Sequence, residues 1–522
     1  MRVAIIGAGM GGLACAVRLA ASGHDVTVIE REQQVGGKAR RIMVDGTPID
    51  AGPTVFTLRD VFDDLFAAAG RSLDDYVSVR PAQVLARHAW DSDSQLDLHA
   101  DPARSEAAIG DFAGADAARG YRAFRMEAAR IYGILEHSML RADKVFWPLP
   151  LMRRIGLARI GDLLAIRPYE SLWKVLGEHF TDPRLRQLFA RYSTYCGSSP
   201  FDTPATLMLI AHVEAQGVWL IDGGMSALAE GLRRVAEEHG ARFRTGTPVV
   251  DVELHNRKAC GVSVESGEFI PADAVVANCD PAALASGRLG QIATRAVAPL
   301  QSRSRSLSAL VWLTHARSEG FPLSRHNVFF SPDYPREFSD IKRGAVPGDP
   351  SVYLCALDRD AGSGAGPEGR ERFQIIVNAP ANGDRLDYSA EEKERCTQAM
   401  RRTLERCGLQ LEDPLPHLLL TPNDFERFSP STGGAIYGRA SHGWAASFLR
   451  QGTRTRIPGL YCAGGSTHPG AGVPMAALSG RLAAQQVAQD LASMRRFHPA
   501  ATPGGMSMRS AMPLDRMGAG TG

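Results

Sequence analysis

The chain has 522 residues, 44% of them hydrophobic and 22% charged, enough for two or three domains around a large core. Its 59 Lys and Arg against 57 Asp and Glu leave a net charge of +2, spread along the chain, which argues against nucleic acid as the main partner. The 8 cysteines form no C-x-x-C pair and no histidine cluster sits at metal-ligand spacing, which argues against a disulfide scaffold or a metal site.

The chain starts with an uncharged apolar run over residues 3–17, which a signal peptide or a membrane span would also show. Arg18 cuts it too short for a span, and its internal order decides against both. Val3-Ala4-Ile5-Ile6 reads as a strand, Gly7-Ala8-Gly9-Met10-Gly11-Gly12 as a turn, and residues 13–21 as a helix. A second strand, Val26-Thr27-Val28-Ile29, closes on Glu30, about 18 residues after Gly12 and near the ~20 expected of a ribose-binding acid. Each part has its chemistry: Gly7 permits a tight turn, Gly9 lets backbone approach a pyrophosphate, and Gly12 lets helix and strand pack closely. The helix N-terminus offers N–H groups and the positive end of its dipole to phosphates. The pattern predicts a Rossmann-type dinucleotide site.

Residues 31–40 add a second glycine-rich turn with cations at its edge, Gly36-Gly37-Lys38-Ala39-Arg40. Here the chain resembles two-domain flavoproteins, which use such a Gly-Gly pair with a basic residue to hold the FAD pyrophosphate; a nicotinamide enzyme usually lacks the extension. Asp50-Ala51-Gly52-Pro53-Thr54-Val55-Phe56 follows as a turn after a strand. Residues 145–173 are apolar all round a helical wheel yet carry Arg153, Arg154, Arg159 and Arg167. Such a segment is either a membrane-docking patch on anionic lipid or a helical cap on the protein.

Short strand-like runs at 247–252, 261–264 and 272–280 are expected to join the nucleotide domain. Residues 361–372 (AGSGAGPEGRER) read as an exposed loop. Residues 458–475 again read as strand, glycine loop and helix start, with Pro474 in the first helical turn and the helix running to Leu491. Beyond it, residues 491–522 lack periodicity and are expected to be a disordered tail. The expected architecture is α/β: a discontinuous FAD domain (1–70, 235–290, 455–490) and an inserted α+β substrate domain (71–234, 291–454) carrying the cap or docking segment.

Taken together, residues 50–56, Val218-Trp219-Leu220-Ile221-Asp222-Gly223-Gly224-Met225, Ala277-Asn278-Cys279-Asp280 and Thr467-His468-Pro469-Gly470-Ala471-Gly472-Val473-Pro474 resemble the carotenoid desaturase family of the bacterial phytoene-desaturase type. The likeness runs from residue 1 to about 490. Within the family, residues 52–66, 196–225 and 437–444 most resemble the purple-bacterial members that desaturate the C3–C4 bond of 1-hydroxy or 1-methoxy carotenoids. The resemblance implies FAD on Gly7, Gly9, Gly11, Gly12 and Glu30, and on Gly37, Lys38 and Arg40 of the second turn. Gly52, Pro53 and Thr54 are implied beside the flavin ring, with Val249, Gly464 and Gly465, then Val473, Pro474 and Met475, completing the site. Two departures stand out: Lys38 replaces the more usual Arg and cannot make a bidentate fork, and Ser466 stands where amine-oxidase relatives often carry an acid.

The resemblance implies an acyclic carotenoid in a long apolar tunnel, flavin reoxidation by oxygen or quinone, and a cytoplasmic protein at a membrane surface. Oxidation at C3–C4 suits loss of hydride from allylic C4 to flavin and then of a proton from C3, so no strong base is required. His212, Glu214 and His442 are candidates to take that proton, and Trp219 and Trp444 to face the charge, with Tyr437 and Tyr195-Cys196-Gly197 along the tunnel. Each histidine has an ordinary structural alternative, so no catalytic group is assigned. The rival readings are another carotenoid desaturase such as phytoene desaturase, an amine or protoporphyrinogen oxidase, and a redox-inactive lipid-binding protein like the GDP-dissociation inhibitors.

Overall fold

A computed structural model describes residues 1–143, 161, 166–359 and 369–497. Its first layer is a five-stranded parallel sheet in the order Leu460–Cys462, Ala274–Ala277, Arg2–Ile6, Asp25–Ile29, Arg242–Arg244. Strands from the start, middle and end of the chain thus pair side by side. Purely parallel strands are buried on both faces; here Val3, Ala4 and Ile5 are at most 1% exposed. The Met10–Ala21 helix covers one face and packs on both the Gly224–Glu238 and Val473–Phe497 helices. The expected domain boundary at residue 235 therefore falls inside a helix of this layer. A three-stranded antiparallel sheet, Val249–His255, Lys258–Val264 and Phe269–Pro271, packs on the other side.

The second layer is a seven-stranded sheet, His417–Leu420, Ser308–Ala316, Glu371–Ala379, Val352–Ala356, His326–Phe329, Val84–Ala89, Gln95–His99. Only His326–Phe329 and Val84–Ala89 pair in parallel. Alternation sorts its faces. Leu310, Trp312, Phe373 and Ile375 pack with Met400 and Leu404 of the Ala390–Arg406 helix, while Ala309, Val311, Gln374, Ile376 and Asn378 face a cavity. Helices over residues 102–135 and 172–215 complete the wall.

Two expectations change at this level, and a third falls mostly outside the described residues. The last helix runs past Leu491 to Phe497, since Leu491 is still buried against the core; residues 498–522 lie outside the described residues. Glu371 and Arg372, read as loop, open a strand, and Glu371 is buried in an ion pair with Arg359 at 2.6 Å. Most of segment 145–173 lies outside the described residues. Its described end carries Arg167 in ion pairs with Glu170 (2.8 Å) and Glu178 (2.7 Å), and Ser171 caps the Leu172–His179 helix. Among the described residues no helix is long and apolar enough to cross a membrane.

Candidate functional site

A cavity of about 860 Å3 runs from the carboxyl ends of the parallel strands to the inner face of the seven-stranded sheet. At the strand end, the chain leaves Ile6 through Gly7 at φ +95°, a left-handed conformation that favours glycine, and Gly9 then starts the Met10–Ala21 helix without a side-chain cap. Its first N–H groups are left for an outside acceptor. A side chain at Gly11 would put its Cβ 2.7 Å from both Asn278 Oδ1 and Gly464 Cα. Gly12 does not open into the cavity; it presses on the Gly7 carbonyl, as close helix-to-strand packing requires.

The Glu30 carboxylate, 7% exposed, ties this turn to the second strand: the Ala8 N–H donates to Oε2 at 2.7 Å and the Glu32 N–H to Oε1 at 2.9 Å. Lys38 lines the cavity and donates to the Ile436 carbonyl. Burial lowers its pKa, opposed by the Asp280 charge. Arg40 donates to the Gly37 carbonyl at 2.8 Å, its guanidinium 4.0 Å over the Phe428 ring. Arg450, 5% exposed, donates to the carbonyls of Tyr437, Arg439 and Gly465. Cations, open helix N–H groups and glycine-only crowding together suit a bound pyrophosphate. Gly52, Pro53, Thr54, Val249, Gly464 and Gly465 line the same cavity, as do Val473, Pro474 and Met475 at the start of the last helix.

The other half of the cavity is apolar, walled by Leu135, Met139, Val311 and Ile376 and by one face of the Leu209–Ala215 helix. That face presents Leu209, Ile210, Val213 and Glu214, a helical spacing that turns His212 away. A polar group interrupts the apolar wall. Arg191 is 7% exposed and donates to the Tyr195 hydroxyl at 2.8 Å, and Glu214, 3% exposed, faces Tyr192 and Tyr195. Burial lifts the Glu214 carboxyl above its ordinary range against the pull of Arg191. Arg191 Nε and Glu214 Oε2 have no hydrogen-bond partner. Nearby, the Thr54 hydroxyl bonds the Tyr353 hydroxyl at 2.6 Å, and that hydroxyl meets His326 Nδ1 at 2.7 Å. Burial, helped by Arg325 and Arg191, pushes the His326 pKa down to about 3.

Of the residues expected at the substrate, Glu214, Tyr437 and Trp444 reach the cavity, Trp444 at its rim beside Tyr169 and Phe448. Three do not. His212 meets Gln216 and the Tyr132 ring on the back of its helix. His442 Nε2 accepts the Ser199 N–H at 3.1 Å. Trp219 pairs with Phe56 in an isolated bridge and stacks edge-on against its ring. Sequence reasoning used Asn278 only as part of a motif and gave it no site role, yet it touches the glycine turn and donates to the Gly7 carbonyl at 3.2 Å; it passed over Arg191, Tyr353, His326 and Arg450. Asn278 sits at the end of a strand ending in the sheet's switch region, a usable signal; the others have no local pattern.

The family described as flavin containing amine oxidoreductase matches residues 10–488. The chain belongs to this family. Within it, the chain falls in the carotenoid desaturase group. A hydroxyneurosporene desaturase of Rubrivivax gelatinosus is 47% identical over 98% of this chain and 97% of that protein, and one of Cereibacter sphaeroides 44% identical over 95% and 99%. A zeta-carotene-forming phytoene desaturase of Myxococcus xanthus is 30% identical over 93% of each chain. Among solved structures, an oxidoreductase from Methanosarcina mazei superposes with a TM-score of 0.59 at 17% identity (93% of this chain, 100% of that one), and a putrescine oxidase variant with 0.56 at 14% (95% and 99%). These last two speak to the fold alone. FAD is the cofactor of this flavoprotein, and the glycine cradle described above fits it. As an oxidoreductase, the protein is not the redox-inactive lipid carrier considered from sequence.

Proposed function

We propose that this carotenoid desaturase introduces the C3–C4 double bond into acyclic carotenoids bearing a 1-hydroxy or 1-methoxy end, at a membrane face. The observation that carries the reading is the largely apolar cavity that begins at the FAD cradle and holds the buried Arg191–Tyr195–Glu214 cluster in its wall, in a chain so similar to hydroxyneurosporene desaturases. FAD, when bound, supplies the acceptor for the hydrogen and electron pair that leave carbon.

This chain's own side chains position the polyene and keep water out. Leu209, Ile210 and Val213 press from the helix side, Val311 and Ile376 from the sheet. Thr54 is fixed by the Tyr353 hydroxyl, and His326 behind it stays neutral, so the Thr54–Tyr353–His326 line orients the wall rather than storing a proton. A C3 proton next to an allylic cation is acidic, which is why the cavity manages without a strong base.

The membrane is proposed on the rim: Trp444, Leu449 and Tyr169 are 42%, 59% and 72% exposed where the cavity opens, and aromatic rings suit a lipid interface. Flavin reoxidation is proposed to use oxygen or a membrane quinone. Incubating purified protein separately with phytoene, neurosporene and 1-hydroxyneurosporene in liposomes tests the reading. The expected product is the 3,4-didehydro form of 1-hydroxyneurosporene; conversion of phytoene alone would overturn it.

A further inference from the structure

A tunnel for a plain polyene is best walled by hydrocarbon, since burying a guanidinium and a carboxylate costs more than their attraction returns unless each is fully bonded. Arg191 and Glu214 are nevertheless buried at the wall of this cavity, each with one polar atom left without a partner. Those two atoms are themselves shut off from the cavity, so what a ligand meets is Tyr195 and the rest of the Glu214 carboxylate. Tyr195 accepts one N–H from Arg191 Nη2, turns its own hydrogen towards the Glu214 carboxylate, and lines the cavity. Glu214 projects from the same helical face as Leu209, Ile210 and Val213, placing carboxylate oxygens within the hydrocarbon wall. Thr54, Tyr353, Arg191, Tyr195 and Glu214 line the same cavity, and the charge of Arg191 is felt at Tyr353, whose hydroxyl bonds Thr54.

That location matches the chemistry of the substrate class. In a 1-hydroxycarotenoid the oxygen sits on C1, so it lies only about 5 Å from C4, and a group that holds it must stand close to the reacting bond. Resting on the functional reading above, we propose that Glu214 and Tyr195, held in place by Arg191, form the specificity site for the C1 oxygen. The substrate hydroxyl inserts between the two: the Tyr195 O–H turns from Glu214 to donate to that oxygen, and Glu214 accepts the tertiary hydroxyl's hydrogen instead. A methoxy end keeps the first bond and loses the second, so the order of preference is hydroxy, then methoxy, then a chain with no oxygen. Sites built to hydrogen-bond a hydroxyl reject the analogue that lacks it strongly, because their polar groups are left unpaired.

The test compares kcat/KM of the FAD-loaded wild type with Tyr195→Phe and Glu214→Gln on 1-hydroxyneurosporene, its methyl ether and neurosporene in liposomes. Wild type should favour the hydroxylated chain over neurosporene, and each variant should lower that preference at least about tenfold, mostly through KM. Glu214→Gln should flatten the hydroxy-over-methoxy step more than Tyr195→Phe does. Equilibrium binding of 1-hydroxyneurosporene, followed by quenching of tryptophan fluorescence, should weaken in parallel. Flavin absorbance and melting temperature check that each variant is folded; if one fails, the other decides. A preference unchanged in a folded variant overturns the proposal. A wild type that ignores 1-hydroxyneurosporene and converts phytoene overturns the functional reading instead, before any variant is made.

Discussion

Glu337 is 1% exposed, next to Tyr334, Ser351 and Asn378 of the cavity lining. Its Oε2 accepts from the Ser351 N–H at 3.1 Å and hydroxyl at 2.6 Å, and burial still pushes its pKa up from 4.5 to about 7. The folded chain therefore keeps a proton that the unfolded chain has released between those values. This contribution to stability is full below about pH 4.5 and is lost as pH rises to about 7, amounting to about 3 kcal/mol. Glu337→Gln removes the titration, so its melting temperature should gain on wild type between about pH 5 and about pH 8. Parallel curves would mean that the carboxyl ionises normally. At this scale, sequence shows motif residues and hides burial. Gly7, Gly9, Gly11 and Glu30 stand at fixed spacing around one turn, whereas nothing local distinguishes Glu337, Arg191 or Glu214 from a solvated charge. Their surroundings come from strands and helices far away in the chain.

The glycine-to-helix units at both chain ends were legible because each packs a period change, from strand to helix, into a dozen residues. The Ser308–Ala316 strand was harder, since it is apolar on both faces: Leu310 and Trp312 meet a helix, and Ala309 and Val311 meet a cavity meant for hydrocarbon. Alternation in hydropathy therefore disappears although alternation in role remains. His212 is a related case, because a seven-residue helix turns it outward while Glu214 faces in, a choice set by packing. The helix pair that closes the FAD domain makes a sharper demand. Gly480 of the last helix lies directly on the Gly11 carbonyl, and any side chain there collides with backbone. Gly480→Val should cost about 2 kcal/mol or more and release FAD, read from the urea midpoint and from free flavin fluorescence. An unchanged midpoint would show that the two helices can separate without cost.

For the whole molecule, an interior passage for an insoluble chain needs an opening that meets the phase holding that chain. Trp444 and Phe448 line the cavity, and Leu449 next to them projects outward. Replacing Trp444 and Leu449 together with serine should reduce the fraction floating with anionic liposomes by roughly threefold, through lost apolar burial at the interface. Flotation equal to wild type would count against the proposed membrane contact at this rim. The parallel sheet carries a different consequence, for the order of synthesis. Its Leu460–Cys462 edge strand and the Gly464 turn that completes the cradle are made near the end, whereas their partners are made before them, Gly11 at the start and Ala274–Ala277 about halfway. A growing chain has to keep its first apolar strand and helix sheltered through most of translation, and a ribosome that stops short leaves a polypeptide with no place for its flavin.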